Sequence, residues 1–276
     1  MEYRQIANID VSAIGMGTYR SFDVRSERDI AVRRDIIANC IQTGVSLIDS
    51  SPMYGNAERV IGLTTGRAGG GEGEREKLRF ATKVWTTGRT EGQRQIRESF
   101  ERMGTDYIDL LQVHNLLDWR THLDTLEDLK ERGAIGAIGI THNAAGAYPE
   151  MMRIMRTGRI DAIQVPYNVL ERRCEAEVLP LAEDLGIAVL AMEPLQKGRY
   201  VTGLKQSPDM TPLAEFGVET WAQALLAWVI SDHRITSAIP ATSRPERILE
   251  NAKAGSMGHL PSELREYVRK ETEKCL

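Results

Sequence analysis

Residues 108–140 have the sequence IDLLQVHNLLDWRTHLDTLEDLKERGAIGAIGI, in which two short apolar runs flank one amphipathic stretch. The runs at 108–114 and 137–140 are rich in aliphatic residues and brief enough to be buried parallel strands. The stretch at 119–132 carries its apolar side chains at roughly helical spacing, and Gly133 supplies the left-handed residue that ends a helix before the next strand. The stretch therefore predicts a strand–helix–strand unit.

The same alternation recurs along the whole chain. Strands are predicted at 13–17, 47–49, 79–83, 108–114, 137–140, 162–165, 188–192 and 237–240. Helices are predicted at 30–43, 57–63, 90–103, 119–132, 147–156, 174–185, 219–231 and 245–254, with Gly44, Gly158 and Gly186 as further stop signals. Eight such units favour one α/β domain over residues 1–276, a (β/α)₈ TIM barrel with its active site at the carboxyl ends of the strands. A doubly wound sheet is the alternative.

Three segments lie outside the alternation. Residues 3–6 and 9–12, around Ala7-Asn8, predict a small hairpin that closes the amino-terminal floor of the barrel. Residues 261–275 have apolar side chains at helical spacing and predict an extra C-terminal helix outside the barrel. A glycine-rich stretch follows a helix and precedes a strand, which favours a flexible loop on the floor over a phosphate site; its glycines are Gly66, Gly69, Gly70, Gly71 and Gly73.

Composition narrows the classes of partner. The 276 residues include 35 Lys and Arg and 39 Asp and Glu, a net charge of −4 with the signs interspersed, which argues against nucleic-acid binding. The cysteines Cys40, Cys174 and Cys275 have no metal-ligand spacing, so we expect reduced thiols and no metal. The sequence has neither a signal-peptide pattern nor an apolar run of 18 residues. We expect a cytoplasmic protein without a membrane partner, either a monomer or a weak homo-oligomer.

Four residues with complementary proton chemistry fall at the ends of predicted strands: Asp49, Tyr54, Lys83 and His114. In one parallel barrel they share one mouth. A lysine that is paired with an aspartate stabilises a tyrosinate, so we expect the pKa of Tyr54 to lie below its ordinary value of about 10. Taken singly, Asp49 could cap a helix, Lys83 could be a surface residue and His114 a buried structural histidine. Their shared position at strand ends favours a catalytic group.

The segment LIDSSPMYG at 47–55 resembles the aldo-keto reductase family, in which an aspartate closes a strand and a tyrosine follows five residues later. Other elements of the family occur in the expected order over nearly the whole chain. They are GMGT at 15–18, Lys83, His114-Asn115, QVPYN at 164–168, EPL at 193–195, IPAT at 239–242 and Glu250-Asn251.

The resemblance implies a role for each of the four residues. Tyr54 would be the general acid in carbonyl reduction and the general base in alcohol oxidation. Lys83 and Asp49 would adjust its proton affinity. His114 would hydrogen-bond the substrate carbonyl and orient it toward the hydride donor.

These side chains cannot supply a hydride, so a cofactor is required. No GxGxxG element follows a strand, because GMGTYR at 15–20 lacks the third glycine. The resemblance instead implies a nicotinamide dinucleotide extended across the barrel mouth. Its expected contacts are Gly17, Thr18, Asp49, Thr141, His142, Asn143, Gln164, Met192, Glu193, Leu195, Thr242, Arg244, Arg247, Glu250 and Asn251.

At three positions this chain departs from the family pattern. Thr141 and His142 stand where the family usually has Ser-Asn, with Asn143 as a substitute for the carboxamide contact. Met192 stands where an aromatic ring often stacks on the nicotinamide; a thioether can also pack on a ring. Ala241 replaces a frequent lysine.

The choice of nucleotide depends on Arg244 and Arg247, which could grip the adenosine 2′-phosphate. The alternative is that both are ordinary surface residues at the start of a helix. We predict NADPH as the cofactor, with NADH as the alternative.

The substrate is expected to be a small-molecule carbonyl compound in an apolar pocket above the nicotinamide. Its predicted contacts are Tyr19, Tyr54, Trp85, His114 and Trp119, and Phe22, Met53 and Leu117 are further candidates for the wall. Residues 196–217 are expected to form a mobile loop that folds over the cofactor, as the corresponding loop does in the family.

Three functions fit these features. The first is an NAD(P)H-dependent reductase of aldehydes, ketones or sugar carbonyls, which is the preferred reading. The second is a cofactor-binding regulatory or redox-sensing subunit with slow turnover, similar to the potassium-channel β subunits. The third is a barrel aldolase or isomerase in which Lys83 forms a Schiff base.

Overall fold

The computed structural model describes residues 1–65 and 75–276, so the predicted glycine-rich loop at Gly66, Gly69, Gly70, Gly71 and Gly73 lies outside the described residues. The chain begins with two antiparallel strands, β1 (Tyr3–Ile6) and β2 (Ile9–Ser12). An eight-stranded parallel sheet follows, with its strands in chain order. These strands are β3 (Met16–Gly17), β4 (Leu47–Asp49), β5 (Arg79–Val84), β6 (Ile108–His114), β7 (Ile135–Thr141), β8 (Ala162–Pro166), β9 (Ala188–Met192) and β10 (Ser237–Ala238).

The sheet closes on itself. Ile14 bridges Ala238 and Gly17 bridges Ala241, both in parallel, which joins the first strand of the sheet to the last. Hydrogen bonds from Gly17 N to Pro240 O and from Ala238 N to Ala13 O support this seam. The predicted (β/α)₈ barrel is therefore confirmed, because a doubly wound sheet would leave two open edges.

Helices surround the barrel and separate its strands. They are α1 (Glu27–Thr43), α2 (Ala57–Thr65), α3 (Arg89–Met103), α4 (Trp119–Glu131), α5 (Tyr148–Met155), α6 (Val178–Asp184), α7 (Arg199–Thr202), α8 (Thr211–Ala214), α9 (Trp221–Ile230), α10 (Pro245–Ala254) and α11 (Ser262–Cys275). Gly44, Gly133, Gly158 and Gly186, which were predicted to stop helices, all have positive φ. Among the described residues, no helix is long and apolar enough to cross a membrane.

Some predicted boundaries were wrong. The predicted helix at 174–185 is divided into a 3₁₀ turn (Arg173–Glu175) and α6. Pro180 explains the division: it has no backbone N–H to donate within a longer helix, but it is tolerated in the first turn of α6. The segment predicted as a loop at 196–217 contains a 3₁₀ turn (Gln196–Gly198), α7 and α8. The predicted strands at 13–17 and 237–240 shorten to two residues each, and only single bridges extend them.

The hairpin closes the amino-terminal end of the barrel, as predicted. Ile6 and Val11 are buried and belong to the same apolar cluster as Leu47, Leu110 and Leu190 from the barrel strands. Their burial removes apolar surface from water and leaves the opposite end of the barrel open for chemistry. The extra C-terminal helix α11 is also present, and it packs on α9, where Trp228 Nε1 donates to Arg265 O at 3.0 Å.

Candidate active site

A cavity of about 810 Å³ opens at the carboxyl ends of the barrel strands. It is formed by residues from the first strand of the sheet through α10, so it spans the whole mouth. Most of the predicted site residues line it: Gly17, Thr18, Tyr19, Asp49, Tyr54, Trp85, His114, Thr141, Asn143, Gln164, Met192, Glu193, Leu195, Thr242, Arg244, Arg247 and Asn251.

Beneath this cavity, Lys83 and Asp49 form a buried ion pair. Asp49 ends β4 and Lys83 lies near the end of the adjacent β5, so strand pairing brings them together. Lys83 Nζ donates to both carboxylate oxygens of Asp49 at 2.8 Å and to the carbonyl oxygen of Ser50 at 2.7 Å. Lys83 is 1% exposed and Asp49 is 2% exposed. Burial, the largest single effect, would lower the pKa of Lys83, but the charge of Asp49, the neighbouring Tyr54 and the hydrogen bond to Asp49 together outweigh it. The pKa of Lys83 is therefore raised, so the lysine is a cation.

Tyr54 stands above this pair at the end of a tight turn. Tyr54 N donates to Ser51 O at 3.0 Å, and Pro52 occupies the second position of that turn, where its fixed φ is favourable. The Tyr54 ring packs edge-on against Tyr19, with centroids 5.1 Å apart, and against His114, with centroids 6.2 Å apart. Lys83 Nζ lies 5.3 Å from the centroid of the Tyr54 ring. The phenol and the imidazole therefore face the same part of the cavity, and the lysine charge lies directly beneath them.

The expected depression of the Tyr54 pKa is wrong for this structure. Burial raises the pKa of Tyr54 by more than the Lys83 charge lowers it, and the Asp49 carboxylate raises it further. Tyr54 is thus a protonated phenol over the neutral range. A protonated phenol suits a proton donor, whereas the sequence pattern predicted a more accessible tyrosinate.

His114 is held neutral at the end of β6. Burial and the charge of Lys83 lower its pKa to about 3. Its Nδ1 lies 3.2 Å from Ser51 Oγ, and its ring lies beside that of Trp85, with centroids 6.4 Å apart. A neutral imidazole has one N–H donor and one acceptor, so it can donate a single hydrogen bond into the cavity.

Two glutamine side chains complete the surroundings of Asp49. Gln112 Nε2 donates to Asp49 Oδ1 at 3.3 Å, and Gln164 Nε2 donates to Asp49 Oδ2 at 3.4 Å. Gly139, which pairs with Gln112, makes room for it, because a Cβ there would lie 2.9 Å from Gln112 Cγ. Both amide oxygens are buried without a hydrogen-bond partner in the described structure. At Gln164, which lines the cavity, an unpaired acceptor of this kind fits a carboxamide N–H donor.

Gln112 and Ser51 also belong to the site, but neither was predicted from the sequence. Gln112 lies two residues before His114, so strand alternation directs both side chains to the barrel interior. That signal was available in the sequence. Ser51 lies between Asp49 and Tyr54, and no residue pattern indicated that its hydroxyl would reach His114, 63 positions along the chain.

At the far end of the cavity, Arg244 and Arg247 flank the start of α10. Arg244 precedes the first residue of that helix, and its backbone N–H donates to Thr242 Oγ1 at 3.1 Å. Arg247 forms an ion pair with Glu250, three residues later. Glu250 does not line the cavity, because its carboxylate is engaged by Arg247; its place among the cofactor contacts stays a prediction.

Two other predicted contacts lie outside the cavity lining. His142 turns back on its own loop, where its Nδ1 accepts the N–H of Ala144 at 3.0 Å, so of the β7-end residues only Thr141 and Asn143 face the cavity. Trp119, the first residue of α4, packs in the core, and its Nε1 donates to Glu150 at 2.7 Å. This bond holds the indole toward α5 and away from the predicted substrate wall. Phe22 is likewise fully buried in the core, while Met53 lines the cavity.

The segment after β9 borders the cavity in an unusual backbone conformation. Glu193, Gln196 and Lys197 have φ of 53°, 47° and 55°, in the left-handed region that non-glycine residues seldom adopt. Asn168 Nδ2 donates to Glu193 O at 3.0 Å, and the Glu193 carboxylate pairs with Lys197 at 2.9 Å. These bonds hold the segment in place, and Glu193, Pro194 and Leu195 form part of the cavity wall.

Comparison with known proteins agrees with this geometry. The family model described as "Aldo/keto reductase family" matches residues 13–271. Methylglyoxal reductase YeaE from Escherichia coli is 29% identical over 252 residues, covering 89% of this chain and 86% of the relative. An NADH-specific methylglyoxal reductase from the same organism is 27% identical over 310 residues, covering 90% of each chain.

A solved structure supports the same assignment. The crystal structure of an aldo-keto reductase from Klebsiella pneumoniae in complex with NADPH superimposes with a TM-score of 0.80 at 27% identity, covering 95% of this chain and 92% of the other. The resemblance stated from the sequence motifs is therefore confirmed. With the family model covering nearly the full length, the chain belongs to the aldo/keto reductase family of oxidoreductases.

Proposed function

We propose that this protein reduces a small aldehyde or ketone to the alcohol, with Tyr54 as the proton donor and a nicotinamide dinucleotide as the hydride donor. One observation carries the proposal: the protonated Tyr54 phenol and the neutral His114 imidazole line one cavity, and the buried Lys83–Asp49 pair lies directly beneath them. Two relatives are named methylglyoxal reductases, which favours a small dicarbonyl as the first substrate to test.

Each residue of the site would have its own role in carbonyl reduction. Tyr54 holds a proton on its phenol oxygen, ready for transfer to a carbonyl oxygen, and His114 provides a neutral donor beside it. The Lys83 cation stabilises the phenolate that remains after proton transfer. Tyr19, Met53 and Trp85 supply apolar walls that exclude water.

The nicotinamide cofactor, when bound, supplies the hydride that no side chain can provide. The unpaired Oε1 of Gln164 fits its carboxamide, with Thr141 and Asn143 close by along the cavity wall. Arg244 and Arg247 would hold the phosphate end. NADPH is the proposed cofactor, and NADH is the alternative.

The site does not support the hypothesis that the protein is an aldolase in which Lys83 forms a Schiff base. A Schiff base requires a neutral lysine amine as nucleophile. Lys83 is a buried cation whose pKa is raised and whose ammonium donates three hydrogen bonds. The hypothesis of a regulatory subunit assumes the same cofactor site as the hypothesis of a reductase, and differs from it by predicting slow turnover.

The proposal is tested by titrating the protein with NADPH and with NADH, followed by nicotinamide absorbance measurements on methylglyoxal, other aldehydes, ketones and sugars. We expect nucleotide binding and turnover of at least one small carbonyl compound. Failure to bind either nucleotide would overturn the proposal. Binding with only slow turnover on the whole panel would support the regulatory subunit instead.

Nucleotide preference gives a separate prediction. Arg244→Ala is expected to weaken NADPH binding by roughly 10- to 100-fold, the size of a charge-assisted hydrogen bond to a phosphate, and to leave NADH binding nearly unchanged. Isothermal titration with both nucleotides measures the difference. Arg156→Ala is the control, because Arg156 is exposed and does not line the cavity. Equal losses for the two nucleotides would show that Arg244 does not recognise the 2′-phosphate.

A further inference from the structure

Ser51 is completely buried. Its hydroxyl lies between the backbone N–H of Met53 and the imidazole of His114, beside the active-site cavity. Its Oγ accepts the backbone N–H of Met53 at 3.3 Å and lies 3.2 Å from His114 Nδ1. The Ser51 carbonyl oxygen accepts the N–H of Tyr54 at 3.0 Å. One residue thus contacts the proton donor through its backbone and the imidazole through its side chain.

The direction of the Ser51–His114 hydrogen bond follows from the other partners of the hydroxyl. A serine hydroxyl donates one hydrogen bond and can accept two. Met53 N–H already occupies one acceptor position of Ser51 Oγ. Within residues 1–65 and 75–276, this hydroxyl forms no hydrogen bond to an acceptor other than His114 Nδ1. Because a buried hydroxyl proton is costly to leave unpaired, it points to Nδ1.

The bond determines which ring nitrogen of His114 carries the proton. His114 is neutral near pH 7, because burial and the nearby Lys83 lower its pKa to about 3. A neutral imidazole whose Nδ1 accepts must have its proton on Nε2. Nε2 has no hydrogen-bond partner among the described residues, and His114 lines the cavity, so this N–H is available to a ligand.

We infer that Ser51 is a positioning residue that fixes His114 as the Nε2–H tautomer, so that the imidazole presents a hydrogen-bond donor to a substrate carbonyl oxygen. The opposite tautomer would present a lone pair to that oxygen and repel it. The link to a carbonyl substrate rests on the proposed function. The tautomer itself does not, because it is a property of the chain alone.

Nitrogen-15 NMR of histidine-labelled protein, with and without NADPH, tests the inference. The two ring nitrogens of a neutral histidine have well-separated shifts, and His114→Asn identifies the His114 signals among the five histidines. In the unmodified chain we expect His114 to be neutral with its proton on Nε2. A proton on Nδ1, or a cation at neutral pH, would overturn the inference without the need for any Ser51 variant.

The variant Ser51→Ala keeps the backbone carbonyl that orients Tyr54 and removes only the hydroxyl. It should shift His114 toward a mixture of tautomers and lower kcat/KM by roughly two- to tenfold, as expected for one lost hydrogen bond. Ser51→Thr retains a hydroxyl and should restore the Nε2–H signals. An unchanged His114 tautomer in Ser51→Ala would contradict the inference. A changed tautomer with unchanged kcat/KM would show that the tautomer does not matter for carbonyl reduction.

Ser12→Ala is the matched control. Ser12 is also fully buried, and its Oγ accepts Ser46 N–H at 2.9 Å and donates to Ile14 O at 2.7 Å, but it lies next to the floor of the barrel. It should lower Tm without moving the His114 signals. If the unmodified protein reduces no carbonyl, the proposed function fails while the NMR result still decides the tautomer.

Discussion

Tyr54→Phe is expected to lower kcat/KM for carbonyl reduction by ~10² to 10⁴-fold, the range contributed by a positioned general acid. Phenylalanine keeps the ring that packs against Tyr19 and His114, so the cavity retains its shape and nucleotide binding should persist. Steady-state kinetics with the best substrate from the carbonyl panel, together with NADPH titration, measure the two effects separately. Retained turnover would show that another group supplies the proton.

Tyr19→Phe is the control for this change. Tyr19 lies beside Tyr54 in the same cavity and loses the same hydroxyl, but it is 44% exposed, and the cation–ring contact of Lys83 is with Tyr54. We expect a much smaller loss of kcat/KM from it. A comparable loss in both variants would indicate that the cavity depends on two hydroxyls and not on one proton donor.

The pH profile gives a second test of the same residue. Since burial raises the pKa of Tyr54, the phenol stays protonated through neutral pH, and kcat/KM for reduction should fall only above its ordinary pKa of about 10. Oxidation requires the deprotonated form and should rise with pH over the same range. A fall in the rate of reduction near pH 7 would show that bound ligands lower the pKa of Tyr54.

Lys83→Met is expected to be the most destabilising single change in the site, at about 3–5 kcal/mol of unfolding free energy, because it leaves a buried carboxylate without its counter-charge. Asp49 is 2% exposed, so water cannot replace the ammonium. The Ser50 carbonyl also loses its donor. Urea denaturation at pH 7, monitored by circular dichroism, measures the difference in unfolding free energy between Lys83→Met and the unmodified chain.

Two comparisons sharpen this prediction. Lys130→Met breaks an ion pair with Asp161 that is 38% and 22% exposed, and should cost no more than about 1 kcal/mol. The double variant Lys83→Met/Asp49→Asn removes both charges and should recover part of the lost stability. If the double variant is as unstable as Lys83→Met alone, packing and not the unpaired charge is the cause.

The pH dependence of stability has a definite sign. The pKa of Lys83 is raised in the folded protein, so its stabilising contribution is fully present below the unfolded value of about 10.4 and is lost as pH rises through the folded pKa. As pH rises from neutrality, the stability gap between the unmodified chain and Lys83→Met should therefore narrow only in strongly alkaline solution. A gap that closes already near pH 7 would contradict a charged Lys83.

The sequence predicted the barrel well because its signals are local. Short aliphatic runs, amphipathic helices and glycine stops each report on a few neighbouring residues, and the four left-handed glycines lie where they were expected. Strand ends placed Asp49, Lys83 and His114 at one mouth for the same reason. The boundary errors near Pro180 and in 196–217 arise where the backbone departs from regular helices and strands.

Side-chain partners could not be predicted in this way, because they depend on distances between strands far apart in the chain. Trp119 and His142 follow strands as Trp85 and Asn143 do, yet hydrogen bonds to Glu150 and Ala144 N hold them outside the cavity. The pKa of Tyr54 was predicted in the wrong direction because a sequence shows the nearby charges but not the depth of burial.

The junction between the first and last strands of the barrel has a consequence for the order in which the site is completed during synthesis. Gly17 pairs with Asp49 on one side and bridges Ala241 on the other, so the cavity wall joins the first strand of the barrel to its last. During synthesis, Asp49, Lys83 and His114 all emerge from the ribosome well before Thr242, Arg244 and Arg247. A growing chain can therefore hold every proton-handling residue and still lack half of the proposed nucleotide cleft, so the cavity is complete only when the last strand of the barrel has joined the first.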